Sequence, residues 1–370
     1  MNRSINFIGV DVDDKSFHGY VVNNATKTGK AFVCRPTAAQ LIKKLNEFKG
    51  SNVELKVCYE ATYIGFALHR ALKKAGFNCV VIAPSHTPRI PGKKVKTDRI
   101  DAKKLASFYM NSQLTEVHIP TEEEEIVRDL VRSRRFFSTQ LKALKLHILA
   151  TCRRLGLRYN ERESKKSYWT QNHITWLEAQ AKKFSNNTIK INMKYLLNQL
   201  KLYELNISTY NEEIEKIASS GFYREIVGGL CCYRGINILT AMTLITELGD
   251  IKRFNHPRKL CSYAGLDIRE YSSGGHERRY GITKMGNKHI RTSVIESCQT
   301  AWNIPKISKR LKASRQGVNN KYLEIADRCM HRLYKKSHRL LHRGKEKNKV
   351  KVACAREMLC FVWETMQATV

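Results

Sequence analysis

Proline is scarce, with 7 in 370 residues, and no low-complexity tract is present. A chain so poor in breakers and repeats reads as ordered almost throughout. Long apolar runs are missing as well: nothing approaches the ~20 consecutive apolar residues of a membrane helix. No amphipathic basic helix stands out as a membrane-surface anchor either. The opening stretch MNRSINFIGVDV has a short, interrupted apolar run ending in Asp11, which does not read as a secretory signal. The 11 cysteines form no CxxC pair and show no Cys/His spacing typical of zinc. Without a targeting signal they read as reduced, mostly buried thiols of a cytoplasmic protein. Acid is the last shortage: Lys plus Arg number 66 against 33 Asp plus Glu, a formal charge of +33. The excess is spread along the chain, and residues 301–370 carry 17 basic residues against 5 acids. Such a surface selects a polyanion partner, because phosphate contacts supply most sequence-independent affinity.

What is present falls into three segments: 1–120, 121–222 and 223–370. In the first, INFIGVDV (5–12), FHGYVVNN (17–24) and AFVCR (31–35) predict short strands, and AAQLIKKLNEF (38–48) has helical spacing. VELKVCYE (53–60) alternates as a strand, IGFALHRALKKAG predicts a helix closing at Gly76, and CVVIAP predicts a further strand. The order predicts a three-stranded meander extended by parallel strands, with helices on the faces, which is the RNase H-like order. Residues 121–222 carry long helical patterns with few turn residues. They suit either a coiled-coil arm, a common dimerisation device, or a helical insert packed on its own domain. In the third segment IVGGLCCYRGINILTAMTLITELGD predicts helix, turn near Gly235, helix. It resembles a helix-hairpin-helix with Arg-Gly-Ile-Asn in place of Gly-Ile-Gly, or else a packed helical hairpin. A basic, helix-rich tail completes an α/β plus α architecture.

KVKTDRIDAKKLA, from Lys94, puts two aspartates three residues apart, on one face of a helix capped by Thr97. Taken alone, the pair is either helix-start chemistry with ion pairs to Arg99 and Lys103, or half of a cation site. The predicted topology brings Asp11, at the end of the first strand, and Glu60, at the end of the fourth, to the same sheet edge as Asp98 and Asp101. Four convergent carboxylates repel one another unless cations neutralise them. Two Mg²⁺ ions about 3.5–4 Å apart would do so and would serve phosphoryl transfer. Asp13 and Asp14 read as turn residues at the strand's exit. A second constellation is YSSGG (271–275), flanked by Arg269, Arg278 and Arg279. A serine there is either an exposed nucleophile or part of a flexible turn. KMGNKHIR (284–291) reads as a Gly–Asn turn opening a basic helix that grips phosphates, or as a solvated helix start.

IGVD (8–11), YEAT (59–62), KTDRIDA (96–102), SYAGL (262–266), the SSG of 272–274 and GITKMGNKHIR (281–291) together resemble the DEDD transposases of the "IS one-ten" insertion-sequence family, relatives of the pilin-gene invertase Piv. The resemblance spans nearly the whole chain. It implies a RuvC-like N-terminal domain, a coiled-coil arm and a C-terminal transposase domain. It also implies Asp11, Glu60, Asp98 and Asp101 as Mg²⁺ ligands, and Ser273 as a nucleophile that forms a phosphoserine link to DNA, with Ser272 ranked second. Where the family carries proline after AGL, this chain has Asp267 and Ile268. Expected partners are DNA, a guide (bridge) RNA and further copies of the chain as homodimer or homotetramer, in a bacterial or archaeal cytoplasm. Expected nucleic-acid contacts are Lys94, Lys96, Arg99, Arg269, Arg278, Arg279, Lys284, Lys288 and Arg291. Two other readings stand beside this one: a RuvC-like nuclease in which water attacks, and an inactive nucleic-acid-binding relic.

Overall fold

A computed structural model describes residues 4–50, 53–88, 97–159, 167–273 and 276–369, with the backbone alone at 273, 276 and 277. The chain divides into two compact units, Met1–Pro120 and Thr121–Val370.

In the first unit the order is β1 (Ser4–Val12), β2 (Phe17–Asn23), β3 (Gly29–Cys34), α1 (Ala38–Asn46), β4 (Val53–Glu60), α2 (Ala67–Lys74), β5 (Asn78–Ile82) and α3 (Asp98–Met110). The strands lie in the order β3-β2-β1-β4-β5. The first three form an antiparallel meander, and β4 and β5 add in parallel. Side chains alternate across the sheet. On one face Ile8, Val10, Val57 and Tyr59 pack with Leu41 and Leu45 of α1 and with Leu68 and Leu72 of α2. On the other face, Phe7 of β1 meets Tyr109 of α3 edge-on, with ring centroids 5.5 Å apart. Cys58 and Ile82 pack there with Leu105. α2 starts later than the sequence pattern predicts, because Gly65 takes a positive φ of 68° and the chain turns before it can wind.

The second unit is mostly helical. α4 (Glu122–Arg154) opens with a capping box in which Thr121 and Glu124 exchange hydrogen bonds. α5 (Gln171–Lys183) and α6 (Asn187–Ala218) follow. α4 and α6 run antiparallel, as Arg134 reaches Asn211 (2.9 Å) while Lys145 reaches Glu204 (2.8 Å). Their far ends enclose a small core of Ile148, Cys152, Leu177, Met193 and Leu200. Their near ends, at Val131 and Ile214, enter the main core. That core is built by α7 (Tyr223–Cys231), α8 (Ile238–Leu248), α9 (Pro257–Tyr263), α10 (Lys288–Ser297), α12 (Asn320–His342) and α13 (Lys347–Gln367); a hairpin of β6 (Ile268–Ser273) and β7 (His276–Ile282) touches it through Ile282, and α11 (Lys309–Ser314) lies outside it. The arm expected at 121–222 is thus rooted in the core of the 223–370 segment. Gly235 adopts φ +91° in the α7–α8 turn, where a Cβ would lie 2.1 Å from the Ser297 carbonyl oxygen. Arg234 spends its guanidinium on the carbonyls of Asn303, Ile304 and Lys306. The turn therefore packs inward as a helical hairpin.

Candidate functional site

Asp11 follows Gly9 on the β1 face that α3 covers. At Gly9 a Cβ would come within 2.4 Å of the Ala102 carbonyl oxygen and the Ala106 nitrogen. Only glycine lets α3 lie this close, and the close approach carries the start of α3 toward Asp11. Thr97 caps that start, its hydroxyl accepting from the Ile100 amide (3.3 Å), so Asp98 and Asp101 occupy the first turn. β4 runs parallel to β1 in a register that pairs Val10 with Tyr59. Glu60 therefore ends its strand beside Asp11 at the carboxyl edge of the parallel pair, a common position for sites in such sheets.

The four acids interact. Burial pushes the Asp11 carboxyl above its ordinary range; the charges of Asp98, Asp101 and Glu60 push it further, against a smaller pull from His18. Each of the other three also has a protein partner. Glu60 accepts from the Thr87 hydroxyl (2.8 Å), Asp98 stands 3.6 Å from His18 Nε2, and Asp101 pairs with Lys104 (3.0 Å). The ion pairs to Arg99 and Lys103 that the helix-start alternative called for are not the ones formed. Lys104 lies one helical turn from Asp101, and Lys103 lies 5.5 Å above the Tyr20 ring. Among the described residues, no three His, Cys, Asp or Glu side chains close around one ion position. Asp13 accepts from the Lys15 amide (3.0 Å), a turn contact.

In the second unit, Ser273 ends β6 with its backbone in register with His276 of β7. Ser272 donates to Glu270 (3.0 Å), which also pairs with Arg279 (3.2 Å). Arg269 lies 6.0 Å from the Tyr280 ring centroid, and Arg269, Arg278, Lys284 and Lys288 are exposed, as is Arg99 on α3. Arg291 is half-buried and donates to the Ala264 carbonyl (2.9 Å), so its role is at least partly to hold a turn. Lys94 and Lys96 lie outside the described residues.

A family model of IS110 DEDD transposases matches residues 8–155, and the Transposase IS116/IS110/IS902 family matches residues 230–312. The protein named "Putative transposase y4qE" of Sinorhizobium fredii is 31% identical over 360 residues, covering 96% of this chain and 87% of its own. The chain belongs to the IS110 family of DEDD transposases. The transposase for insertion sequence element IS1533 of Leptospira borgpetersenii is 29% identical over 94% of this chain and 99% of its own. The transposase for IS1111A of Coxiella burnetii is 27% identical over 88% of each chain. Among the described residues, no helix of this IS110-family chain is long and apolar enough to cross a membrane.

Three polar contacts escape the sequence pattern. His18 and Thr87 approach the acids only through strand register and a short turn, neither of which has a local signature. Glu247 did have one, as a lone acid in the apolar helix ILTAMTLITEL. It is almost fully buried, and it accepts from Arg132 Nε and Nη2 (2.7 and 2.8 Å) and from Asn287 Nδ2 (2.7 Å). Asn287 in turn caps α10, and its own amide donates to the Tyr263 carbonyl (2.7 Å). Gly286, at φ +135°, passes where a Cβ would meet that same carbonyl at 2.3 Å. SYAGL and GITKMGNKHIR thus interlock as one turn structure at the foot of the serine hairpin.

Proposed function

We propose that this IS110-family transposase cleaves and exchanges DNA strands through a covalent link between Ser273 and DNA phosphorus, with Mg²⁺ held by Asp11, Glu60, Asp98 and Asp101. The observation that carries the reading is the burden on Asp11, whose ionisation is opposed by three neighbouring carboxylates from two other elements. Four carboxylates are the hard oxygen donors that Mg²⁺ takes, and a bound divalent cation would relieve their repulsion. The donor types therefore suit such an ion, whose chemistry would be to orient a phosphate and offset charge on its oxygens, and the four side chains would have to draw together from their present positions to hold it.

The chain's own residues supply the rest. In the proposed step the Ser273 hydroxyl oxygen bonds to phosphorus, and a deoxyribose oxygen leaves with the electron pair and takes up a proton. Attack by a second strand's hydroxyl reverses the step, returns the serine proton and joins the new strand. The phosphodiester energy is kept in the serine ester, consistent with a sequence that carries no ATP-binding P-loop. Exposed Arg269, Arg278, Lys284 and Lys288 suit phosphate contacts around the hairpin. The charge of +33 suits a guide RNA together with DNA, the RNA bound through backbone and shape. α4 and α6 also expose a second apolar stripe that includes Phe136, Leu146, Tyr195, Leu202 and Leu205. On α6, Ile191, Tyr195, Leu202 and Leu205 are spaced by four, seven and three residues, which suits pairing with another copy of the chain.

The test is strand transfer between donor and target DNA, with candidate RNA, in Mg²⁺ and in chelator. Transfer that requires Mg²⁺ and is lost in Asp11→Asn and Ser273→Ala supports the reading. Transfer that persists in chelator would remove the metal role.

A further inference from the structure

The far end of the helical pair, where α4 finishes and α5 begins, holds a cavity of about 510 Å³. This lies within the ~300–1,000 Å³ of small-ligand sites. Tyr159, Tyr168, Trp176 and His173 line it with rings, and Arg153 and Arg158 stand exposed on its wall. His173 is fully buried at the centre of the aromatic group. Its ring centroid is 4.6 Å from Tyr159, 5.0 Å from Tyr168 and 6.0 Å from a nearly parallel Trp176.

The polarity of this histidine is only half used. The Trp169 backbone N–H donates to Nδ1 (3.0 Å), so in the neutral ring the proton sits on Nε2. Burial favours the neutral ring. Among the described residues Nε2 has no hydrogen-bond partner. A buried, unpaired donor costs about 1–3 kcal/mol. Packing alone explains the ring stack. It explains neither this open donor nor a tyrosine left 42% exposed beside two arginines.

We infer that the cavity receives one unpaired base of a single-stranded nucleic acid, stacked on the exposed ring of Tyr168 at its mouth. His173 Nε2 donates to an acceptor on the base edge, and Arg153 and Arg158 meet the flanking phosphates. Aromatic faces with arginine at the rim are how single strands are held through their bases. The inference rests on the nucleic-acid partner of the function proposed above but not on its serine chemistry.

The test uses the full chain with RNA and DNA oligonucleotides of about 12 nucleotides, within the ~4–16 that a single-strand module covers. Each has a matched version lacking one base, and a photoreactive thiopyrimidine version for crosslinking. We expect crosslinks to map to Tyr168 and Trp176. Tyr168→Ala should weaken the intact strand by roughly 5- to 150-fold, the ~1–3 kcal/mol that stacking on an aromatic ring contributes. It should leave the strand with the missing base unaffected. Tyr168→Phe should restore binding, and Arg158→Ala should lower the slope of binding against salt by about one. The tighter of the RNA and DNA arms identifies the source of the base. Equal losses for intact and base-deleted strands, crosslinks confined to other peptides, or no rescue by phenylalanine would overturn the inference. A base effect without any covalent serine adduct would refute the proposed chemistry and leave the cavity standing; the reverse would do the opposite.

Discussion

Replacing Glu247 by glutamine removes one negative charge from the interior and leaves Arg132 facing a neutral amide. The Glu247 side chain is 2% exposed, and its oxygens accept three hydrogen bonds at 2.7–2.8 Å. Arg132 is 42% exposed and keeps access to water, so the loss is that of charge-assisted hydrogen bonds, about 1.5–3 kcal/mol, and not that of a fully buried pair. Glutamine keeps the volume and one acceptor, so about 1.5–2 kcal/mol is expected. For a domain of about 150–250 residues each kcal/mol moves the midpoint by ~2–4 °C, so a drop of roughly 3–8 °C at pH 7 follows. The effect has a pH signature. Burial pushes Glu247 up, but the Arg132 hydrogen bonds and charge, with the Asn287 amide, outweigh it and leave the group below its ordinary value. Its stabilisation is therefore complete above the unfolded value near ~4.3 and lost as pH falls through the folded one. The gap between wild type and Glu247→Gln should stay constant from neutral to about pH 5 and close only in stronger acid. Thermal unfolding of the full chain over this range is the assay. Arg132→Ala combined with Glu247→Gln should cost less than the two single changes summed. A midpoint change below about 1 °C at pH 7, or a gap that closes already between pH 7 and 5, would refute the reasoning.

Asp11→Asn should raise the stability of the chain in chelator, by up to about 1 kcal/mol once screening is discounted. Because the folded value of Asp11 is raised, its contribution is lost as pH rises through that value, and wild type carries this penalty at neutrality. The same variant should abolish the rise in melting temperature on adding Mg²⁺; a variant less stable in chelator, or with an unchanged Mg²⁺ response, contradicts the charge argument. Gly9→Val should destabilise by at least ~1–3 kcal/mol, since its side chain meets α3 backbone at 2.4 Å, and should abolish strand transfer; an undisturbed melting curve would contradict that packing. Leu202→Glu with Leu205→Glu should shift the chain to smaller species in light scattering without lowering its melting temperature. An unchanged mass would exclude the exposed stripe as the interface.

Where burial imposed a period, the sequence was legible. β1 and β4 alternate because one face meets α1 and α2 and the other meets α3. Thr97 announced α3 through its capping chemistry. The hairpin of β6 and β7 escaped prediction because its described side chains are largely exposed, so no apolar alternation marks it in a segment expected to be mainly helical. The acids could be grouped by topology, since strand ends recur at one edge, but their individual partners could not. Lys104 in place of Lys103, His18 and Thr87 follow from register and turn geometry, which span 27 residues between Glu60 and Thr87 alone. Arg291 looked like a phosphate contact because charge is visible in a sequence, whereas the Ala264 carbonyl it meets is not.

The most direct measurement is trapping of protein on labelled DNA under denaturing conditions, followed by peptide mapping. Wild type incubated with DNA, candidate RNA and Mg²⁺ should yield a covalent adduct at Ser273, absent in Ser273→Ala. If Ser273→Ala still cuts DNA in Mg²⁺ while wild type shows no adduct at any residue, water is the nucleophile and the serine account is wrong.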